Sequence, residues 1–258
     1  MSANNDSFGK TIFVAVALCL VCSLVVSGAA VILKEDQQAN KAADVQRSIL
    51  IAAGVVGADE QADFGKLFQE KVEAQVVDFE TGDIAKDIAP ASFDQRQASK
   101  KPETSIKLSK GEDPASIKRR SNYGKVYLLK ENGKLSKIVI PVHGYGLFST
   151  LYGFIALEAD TRTVAGIRFY EHGETPGLGA EITNPQWISK WDGKEVLNQN
   201  YKPSLKLVKN GADQTNEIDA LSGATYTSNG VENLVNYWLG DKAFGPYLAK
   251  LRGGKHGV

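Results

Sequence analysis

An uncharged stretch near the N-terminus is the feature that most restricts how this chain folds. From Thr11 to Leu33 the sequence contains no Asp, Glu, Lys or Arg. An α-helix rises about 1.5 Å per residue, so a run of this length spans the roughly 30 Å hydrocarbon core of a lipid bilayer. The sequence therefore predicts one transmembrane helix at residues 11–33, preceded by a short tail at residues 1–10.

A cleaved signal peptide is the alternative interpretation of this stretch. The small residues Ser27, Gly28, Ala29 and Ala30 are typical of a cleavage site. However, the uncharged run is longer than the apolar core of a signal peptide, which has about 7–15 residues, and it continues past the small residues to Leu33. The length favours a membrane anchor. The flanking charges do not determine its orientation, because both signs occur on both sides.

Composition narrows the range of functions. The chain has 30 Lys and Arg residues and 30 Asp and Glu residues, so its net charge gives no reason to expect a nucleic-acid partner. The three histidines are scattered, and both cysteines, Cys19 and Cys22, lie in the uncharged stretch, which leaves no metal-ligand spacing. The sequence around Ser222 lacks the nucleophile-elbow pattern. We therefore predict no metal site and no catalytic residue.

The segment at residues 34–121 is predicted to be a juxtamembrane helical region followed by a polar connector. Apolar residues recur with helical spacing over residues 37–56 and again over 64–72, and a short strand pattern follows at 76–79. Residues 85–121 are polar and rich in lysine, and we interpret them as loop and surface helix.

The remaining part, residues 122–258, is predicted to be the main folded domain. Its strand patterns are joined by short turns, which favours an antiparallel sheet over the alternation of strands and helices in a doubly wound fold. The four strand patterns lie at residues 126–129, 138–142, 152–158 and 164–170, a fifth strand is predicted at 205–208, and helices are predicted at 184–197 and 228–239. The predicted fold class is α+β: an N-terminal transmembrane helix, then a soluble domain with a mainly antiparallel sheet flanked by helices.

The most informative motif is Asp-Ala-Leu-Ser-Gly-Ala-Thr, from Asp219 to Thr225, where a loop meets a predicted helix. Backbone N–H groups at the start of a helix lack partners and favour an anion. Gly223 and Ala224 carry little or no side chain, so a bulky group can approach the backbone closely. Hydroxyl residues in front of a helix are also ordinary N-caps. The residues alone therefore leave capping and ligand binding both open.

Two glycine-containing loops are further candidates for ligand binding. Gly144-Tyr145-Gly146 does not continue as a dinucleotide fingerprint, because a strand pattern and not a helix follows it. Its aromatic residues Tyr145 and Phe148 are placed to flank a planar ligand. In the loop at residues 172–179, three glycines and a proline expose backbone N–H groups, and Leu178 provides an apolar lid for a flat ring. For each loop, a plain turn is the alternative.

The Asp219–Thr225 motif, the loop Glu174-Thr-Pro-Gly-Leu-Gly179 and the single N-terminal apolar helix together resemble the C subunit of the Na⁺-translocating NADH:quinone reductase. The resemblance extends over nearly the whole chain. The G subunit of the related ferredoxin-linked electron-transport complex shares the FMN-binding core and the threonine motif, but it is typically shorter. The long segment at residues 37–120 fits the C subunit better. A membrane-tethered flavin sensor is an alternative of a different class.

The resemblance implies that residues 122–258 form an FMN-binding domain in which a flavin transferase links FMN, through its phosphate, to Thr225. The recognition frame that it implies around this threonine is Asp219, Ser222, Gly223 and Ala224. The residues that it implies against the isoalloxazine ring are Glu174, Thr175 and Leu178. Lys206 is a weaker candidate for a phosphate contact.

The resemblance also implies a function. The chain is expected to be the electron-transfer subunit of a membrane NADH:quinone oxidoreductase that pumps Na⁺, with no complete activity alone and with the other subunits as its partners. The expected location is the bacterial inner membrane, crossed once, with the soluble domain on the periplasmic side.

Overall fold

The computed structural model describes residues 8–57 and 59–254. Residues 1–7 of the predicted tail and residues 255–258 of the predicted domain lie outside this range. The chain divides into two compact units, residues 1–44 and 45–258.

The first unit contains the predicted membrane helix. Helix α1, Phe8–Ile32, has 25 residues, none of which is buried, and an 18-residue window within it has a mean hydropathy of 2.7. Among the described residues it is the single helix that is long and apolar enough to cross a bilayer. It begins three residues before the uncharged stretch. The helix fits a single-pass membrane anchor.

The described residues after α1 form further α-helices, short 3₁₀ turns and β-strands. After α1, the helices are α2 (Lys34–Ala52), α3 (Phe64–Lys71), α4 (Gln95–Ala98), α5 (Pro185–Ile188), α6 (Thr225–Trp238) and α7 (Gly245–Arg252), with 3₁₀ turns at Pro102–Thr104, Gly179–Thr183 and Ser189–Trp191. The strands are β1 (Val72–Asp78), β2 (Ser105–Lys107), β3 (Arg119–Ser121), β4 (Tyr123–Glu131), β5 (Lys134–Tyr145), β6 (Thr150–Glu158), β7 (Val164–Glu171), β8 (Lys206–Val208) and β9 (Glu217–Asp219).

A five-stranded antiparallel sheet in the order β1-β4-β5-β6-β7 forms the centre of the second unit. Strands β2 and β3 make a separate antiparallel pair, whereas β8 and β9 pair in parallel. This confirms the predicted α+β class with a mainly antiparallel sheet. The four long strands arise where the sequence alternates apolar residues between short turns, as at Asn132-Gly133, where both residues have positive φ.

Both faces of the sheet are covered, because successive side chains of a strand point to opposite sides. On one face, Val126 and Leu128 of β4 belong to a cluster that includes Trp238 of α6 and Tyr247 of α7. On the other face, Tyr127 and Leu129 belong to a cluster with residues from the end of α2, and Phe68 of α3 packs against it. The site described below lies where α6 begins, at the first face.

The sequence-based boundary after residue 121 does not divide the second unit. Residues 45–121 belong to the same compact unit as the residues that follow. The reason is that β1 pairs with β4 along its whole length, from Val72 opposite Leu129 to Asp78 opposite Tyr123. A short strand pattern does not reveal its partner in the sequence, so the sequence predicts the strand at 76–79 but assigns it to the juxtamembrane region.

The predicted helix at residues 184–197 is wrong beyond its first half. Helix α5 and the 3₁₀ turn end at Trp191, and Gly193 then adopts a φ of 72°. From there the chain is extended, with Glu195 bridged to Thr163. Trp187 and Trp191, four residues apart, do pack together, with their rings edge-on and 5.4 Å apart. They do so within a short helical segment and not within a long helix. Strands β2, β3 and β9 and helix α7 were not predicted.

Gly124 marks a place where the sheet and the helices approach too closely for a side chain. A Cβ atom at this position would lie 2.1 Å from Cζ of Phe79 and 2.8 Å from Cζ of Phe244. We expect Gly124→Ala to lower the free energy of unfolding by about 1–3 kcal/mol, the usual cost of overpacking. Urea denaturation of the full chain in detergent measures this. Gly111→Ala is the control, because nothing lies within 4 Å of its Cβ position, and a change above about 0.5 kcal/mol there would count against the explanation.

Candidate functional site

The Asp219–Thr225 motif forms a turn in front of α6 that is held to the helix by side-chain hydrogen bonds. Helix α6 begins at Thr225, three residues before the predicted start, and Ala224 is its N-cap without a side-chain capping bond. Ser228 connects the turn to the helix: its Oγ accepts from the N–H of Leu221 at 3.0 Å and donates to the carbonyl of Ala224 at 3.0 Å. Gly223 has a φ of 72°, which favours glycine. The N–H groups at the start of α6 therefore have no side-chain cap, and an anionic ligand can bind them.

Thr225 is exposed at the first position of the helix. Among the described residues, no hydrogen-bond partner is found for its hydroxyl. Ser222 and Gly223 in front of it are also exposed. The turn therefore presents the hydroxyls of Ser222 and Thr225 to solvent, and that of Thr225 lies at a helix N-terminus, where unpaired N–H groups favour an anion.

Asp219 ties the start of the motif to its surroundings. Its carboxylate accepts hydrogen bonds from Nζ of Lys190 at 3.0 Å and from the N–H of Ala212 at 3.1 Å. These bonds, that from Ala212 first, lower the pKa of Asp219 below its ordinary value of 3.8. Its carbonyl accepts from Nε1 of Trp187 at 2.8 Å. These hydrogen bonds fix Asp219, and with it the start of the turn, to the neighbouring segments.

A second segment reaches the motif from the loop after β7. The carbonyl of Thr175 accepts from the N–H groups of Leu178 and Ala180, each at 3.1 Å, and Gly177 has a φ of 75°. Pro176 followed by glycine with positive φ is the pattern of a type II turn. The turn brings the exposed side chain of Leu178 against the motif, because a Cβ on Gly223 would lie 3.1 Å from Cδ2 of Leu178.

The third segment is the turn at residues 145–149, between β5 and β6. It lies against α6, because a Cβ on Gly230 would come within 2.5 Å of the carbonyl oxygen of Tyr145. The hydroxyl of Tyr145 donates to the carbonyl of Phe148 at 3.3 Å. Both aromatic side chains are exposed, that of Phe148 by 62%. The sequence-predicted residues of all three segments are therefore brought to the same end of α6.

The buried side chain of Glu174 connects the loop after β7 with the turn at residues 145–149 and with α6. It is only 5% exposed. Its carboxylate accepts from the N–H groups of residues 147–149 and from the hydroxyl of Thr227, the latter at 2.7 Å. Burial raises the pKa of Glu174, but the hydrogen bonds from Thr227 and from the backbone N–H groups outweigh it and hold the pKa below the ordinary value of 4.5. The carboxylate is therefore ionised at neutral pH and is turned into the protein.

Exposed apolar side chains stand on the three segments that meet near the start of α6, and we call them the apolar rim. The members of the apolar rim are Tyr145, Leu147, Phe148, Leu178 and Tyr226. Tyr226, next to Thr225, is 70% exposed. Apolar side chains gathered in this way around polar backbone groups are typical of a binding site for a planar ligand.

A cavity of about 170 Å³ opens beside Thr225. Its lining includes Ser222, Lys209, Asn210 and Asn229. Lys206, the lysine considered from the sequence, begins β8 and is not among the lining residues. Sequence reasoning missed Lys209 and Asn210, which the parallel pairing of β8 and β9 brings to the motif.

Three features of the site suit a ligand with a phosphate and a flat ring. The free hydroxyl of Thr225 stands at a helix N-terminus, a lysine and two asparagines line the cavity beside it, and the apolar rim provides area for a ring. The fold and site define a domain suited to such a ligand, in a chain whose first helix fits a single-pass membrane anchor. Accordingly, the family model described as the FMN-binding domain matches residues 145–240, a range that contains all three segments.

Similar proteins extend over nearly the whole chain. The C subunit of the Na⁺-translocating NADH-quinone reductase from Vibrio anguillarum is 48% identical over 256 residues, which are 98% of this chain and 99% of that protein. The crystal structure of NqrC from Shewanella oneidensis has a TM-score of 0.77 at 37% identity and covers 83% of this chain and 99% of that one. The structure of the C subunit from Parabacteroides distasonis has a TM-score of 0.66 at 27% identity, with coverages of 84% and 96%. This chain belongs to the family formed by the C subunits of Na⁺-translocating NADH-quinone reductases.

Proposed function

We propose that this chain carries FMN covalently, through a phosphoester to Oγ1 of Thr225, as the electron-transfer subunit of a membrane NADH-quinone reductase that pumps Na⁺. Membership of the C-subunit family supports the assignment to such a complex. The match to the FMN-binding domain supports the cofactor. The covalent link is supported by the position and the free hydroxyl of Thr225.

The exposure of Thr225 is the observation that carries the proposal. A transferase needs access to the attacking hydroxyl, and Thr225 is exposed at the first position of α6. The neighbouring hydroxyls of Thr227 and Ser228 are buried and hydrogen-bonded. Within the turn, only Ser222 is comparably open, and it lies outside the helix. Thr225 is the residue that combines an open hydroxyl with the anion-binding end of a helix.

The residues around Thr225 divide between the phosphate and the ring. Lys209 and Asn210 line the cavity beside the hydroxyl, where a cation and an amide donor suit a phosphodiester. Gly223 and Ala224 leave room for the phosphate arm, and Asp219 and Ser222 complete the frame that the transferase recognises. The apolar rim and Thr175 receive the isoalloxazine ring. When bound, FMN supplies one- and two-electron transfer, and the protein supplies its position and environment.

The remaining parts of the assignment concern the assembly. Helix α1 anchors the chain in the bacterial inner membrane by one crossing, and the domain that holds FMN, residues 122–258 in outline, stands on the periplasmic side. A flavin transferase attaches the cofactor. The other subunits oxidise NADH, reduce quinone and move Na⁺, so the isolated chain has no complete activity. An exposed apolar rim leaves one edge of the ring within reach of neighbouring electron carriers.

Mass spectrometry of the tryptic peptide 210–242 tests the covalent link. This peptide contains Thr215, Thr225 and Thr227, so fragmentation distinguishes the modified residue from internal controls. Protein purified from its own membrane is expected to yield this peptide heavier by one FMN less one water, with the added mass on Thr225. A bare Thr225 in that material, or the mass on another hydroxyl, would contradict the proposal.

A further inference from the structure

Glu174 is a buried anion that accepts hydrogen bonds from backbone N–H groups and from hydroxyl groups. Oε1 accepts from the N–H of Phe148 at 3.0 Å, from the N–H of Ser149 at 3.1 Å and from the hydroxyl of Ser149 at 3.4 Å. Both carboxylate oxygens lie 3.2 Å from the N–H of Leu147. Oε2 also accepts from the hydroxyl of Thr227 at 2.7 Å. Among the described residues, no cation forms an ion pair with this carboxylate.

The N–H groups of Leu147, Phe148 and Ser149 follow one another along the chain and converge on a single point. Such a run of backbone donors forms an anion-binding concavity, which elsewhere holds a phosphate. Here the carboxylate of Glu174 fills it. Because this concavity is occupied, the cavity beside Thr225 is the place that remains for the phosphate of a ligand.

Two glycines make room for this arrangement. A Cβ on Gly146 would lie 2.7 Å from Oε1 of Glu174. A Cβ on Gly179 would lie 2.8 Å from Oε2 of Glu174 and 2.6 Å from the hydroxyl oxygen of Thr227. The turn at residues 145–149 and the loop at 172–179 therefore close tightly around the bond between Glu174 and Thr227. This bond is the point at which both loops are fastened to α6.

We propose that Glu174 and Thr227 are positioning residues that fasten the turn at 145–149 to the first turn of α6, and so hold the apolar rim in place for the flavin ring. The inference rests on the proposed attachment of FMN to Thr225. Glu174 acts through the backbone of the turn and makes no contact with the ring. This role differs from the ring contact that the family resemblance implies for Glu174.

Hydrogen exchange on the full chain in detergent, produced without flavin, tests the fastening itself. In Thr227→Val, which keeps the shape of the side chain but removes its hydroxyl, the amides of residues 147–149 are expected to exchange about tenfold faster, because a hydrogen bond to a charged group is lost. Glu174→Gln is expected to give a similar change. Thr227→Ser retains the hydroxyl and should keep wild-type exchange. Equal exchange in wild type and both disruptive variants would overturn the proposal.

The same variants, produced together with a flavin transferase, test the effect on the ring. The intact mass should show one FMN on every variant, because Thr225 is unchanged. The fluorescence anisotropy of the attached flavin should fall in Thr227→Val and Glu174→Gln, since the ring is tethered but no longer held, and Thr227→Ser should restore it. Faster exchange with unchanged anisotropy, or loss of the FMN mass from Glu174→Gln alone, would refute the positioning role. Absence of FMN from the wild type would refute the proposed function and leave the exchange result standing.

Discussion

Thr225→Ala is expected to carry no covalently bound flavin, even when it is produced together with a flavin transferase. The substitution removes the only group to which the phosphoester can be made at this position. It leaves the fold intact, because Thr225 is exposed and its hydroxyl has no hydrogen bond to the described part of the chain. Intact mass and in-gel flavin fluorescence measure the loss, and circular dichroism shows whether the fold is kept.

Two further variants make this experiment selective. Thr215→Ala removes another exposed hydroxyl from the same tryptic peptide and is expected to leave the modification unchanged. Thr225→Ser keeps a hydroxyl at the helix N-terminus and is expected to restore part of the fluorescence. A fluorescent band from Thr225→Ala that survives denaturing electrophoresis would place the link on another residue. Equal loss in Thr215→Ala would mean that the effect is not specific to the motif.

The sequence identified the segments that the structure brings together at the candidate site, whereas several of its element boundaries differ from those of the structure. The motif at 219–225 and the loop at 172–179 stand out because glycine, proline and hydroxyl residues are concentrated there, and the structure brings both to the start of α6. The role of Thr227 could not be recognised in this way, since a threonine near the start of a helix is ordinary. Its importance comes from a bond to Glu174, 53 residues away in the chain.

The errors have a common physical cause. Local patterns predict a strand at 76–79 without its partner and place the segment at 192–197 in a helix, because in each case a distant strand or turn decides the structure. Lys209 and Asn210 reach the cavity for the same reason, through the parallel pairing of β8 and β9. Local patterns predict elements that are stabilised by their own residues. They do not identify pairings between segments that are far apart in the sequence.

Trp238→Ala is the prediction with the largest expected effect on stability. Trp238 is fully buried at the end of α6, and its ring lies 4.7 Å from that of His143 and 5.8 Å from that of Phe79. Its Nε1 donates to the carbonyl of His143 at 2.6 Å. Burial, and then the charge of Arg96, lower the pKa of His143 to about 4, so the histidine ring that packs here is neutral at pH 7. Trp238 therefore fixes α6 to β5 with both apolar area and a hydrogen bond.

The two contributions of Trp238 can be separated by comparing two substitutions. Trp238→Ala leaves a large cavity and an unpaired buried carbonyl, and it is expected to cost about 3–5 kcal/mol of unfolding free energy. Trp238→Phe keeps most of the apolar volume but loses the hydrogen bond, and it is expected to cost about 1–3 kcal/mol. Urea denaturation of the full chain in detergent, followed by circular dichroism, measures both. Since a domain is typically stable by only about 5–15 kcal/mol, the Ala variant should be largely unfolded at moderate urea. An equal cost for the two variants would show that the hydrogen bond, and not the packing of the ring, holds α6 in place and with it Thr225.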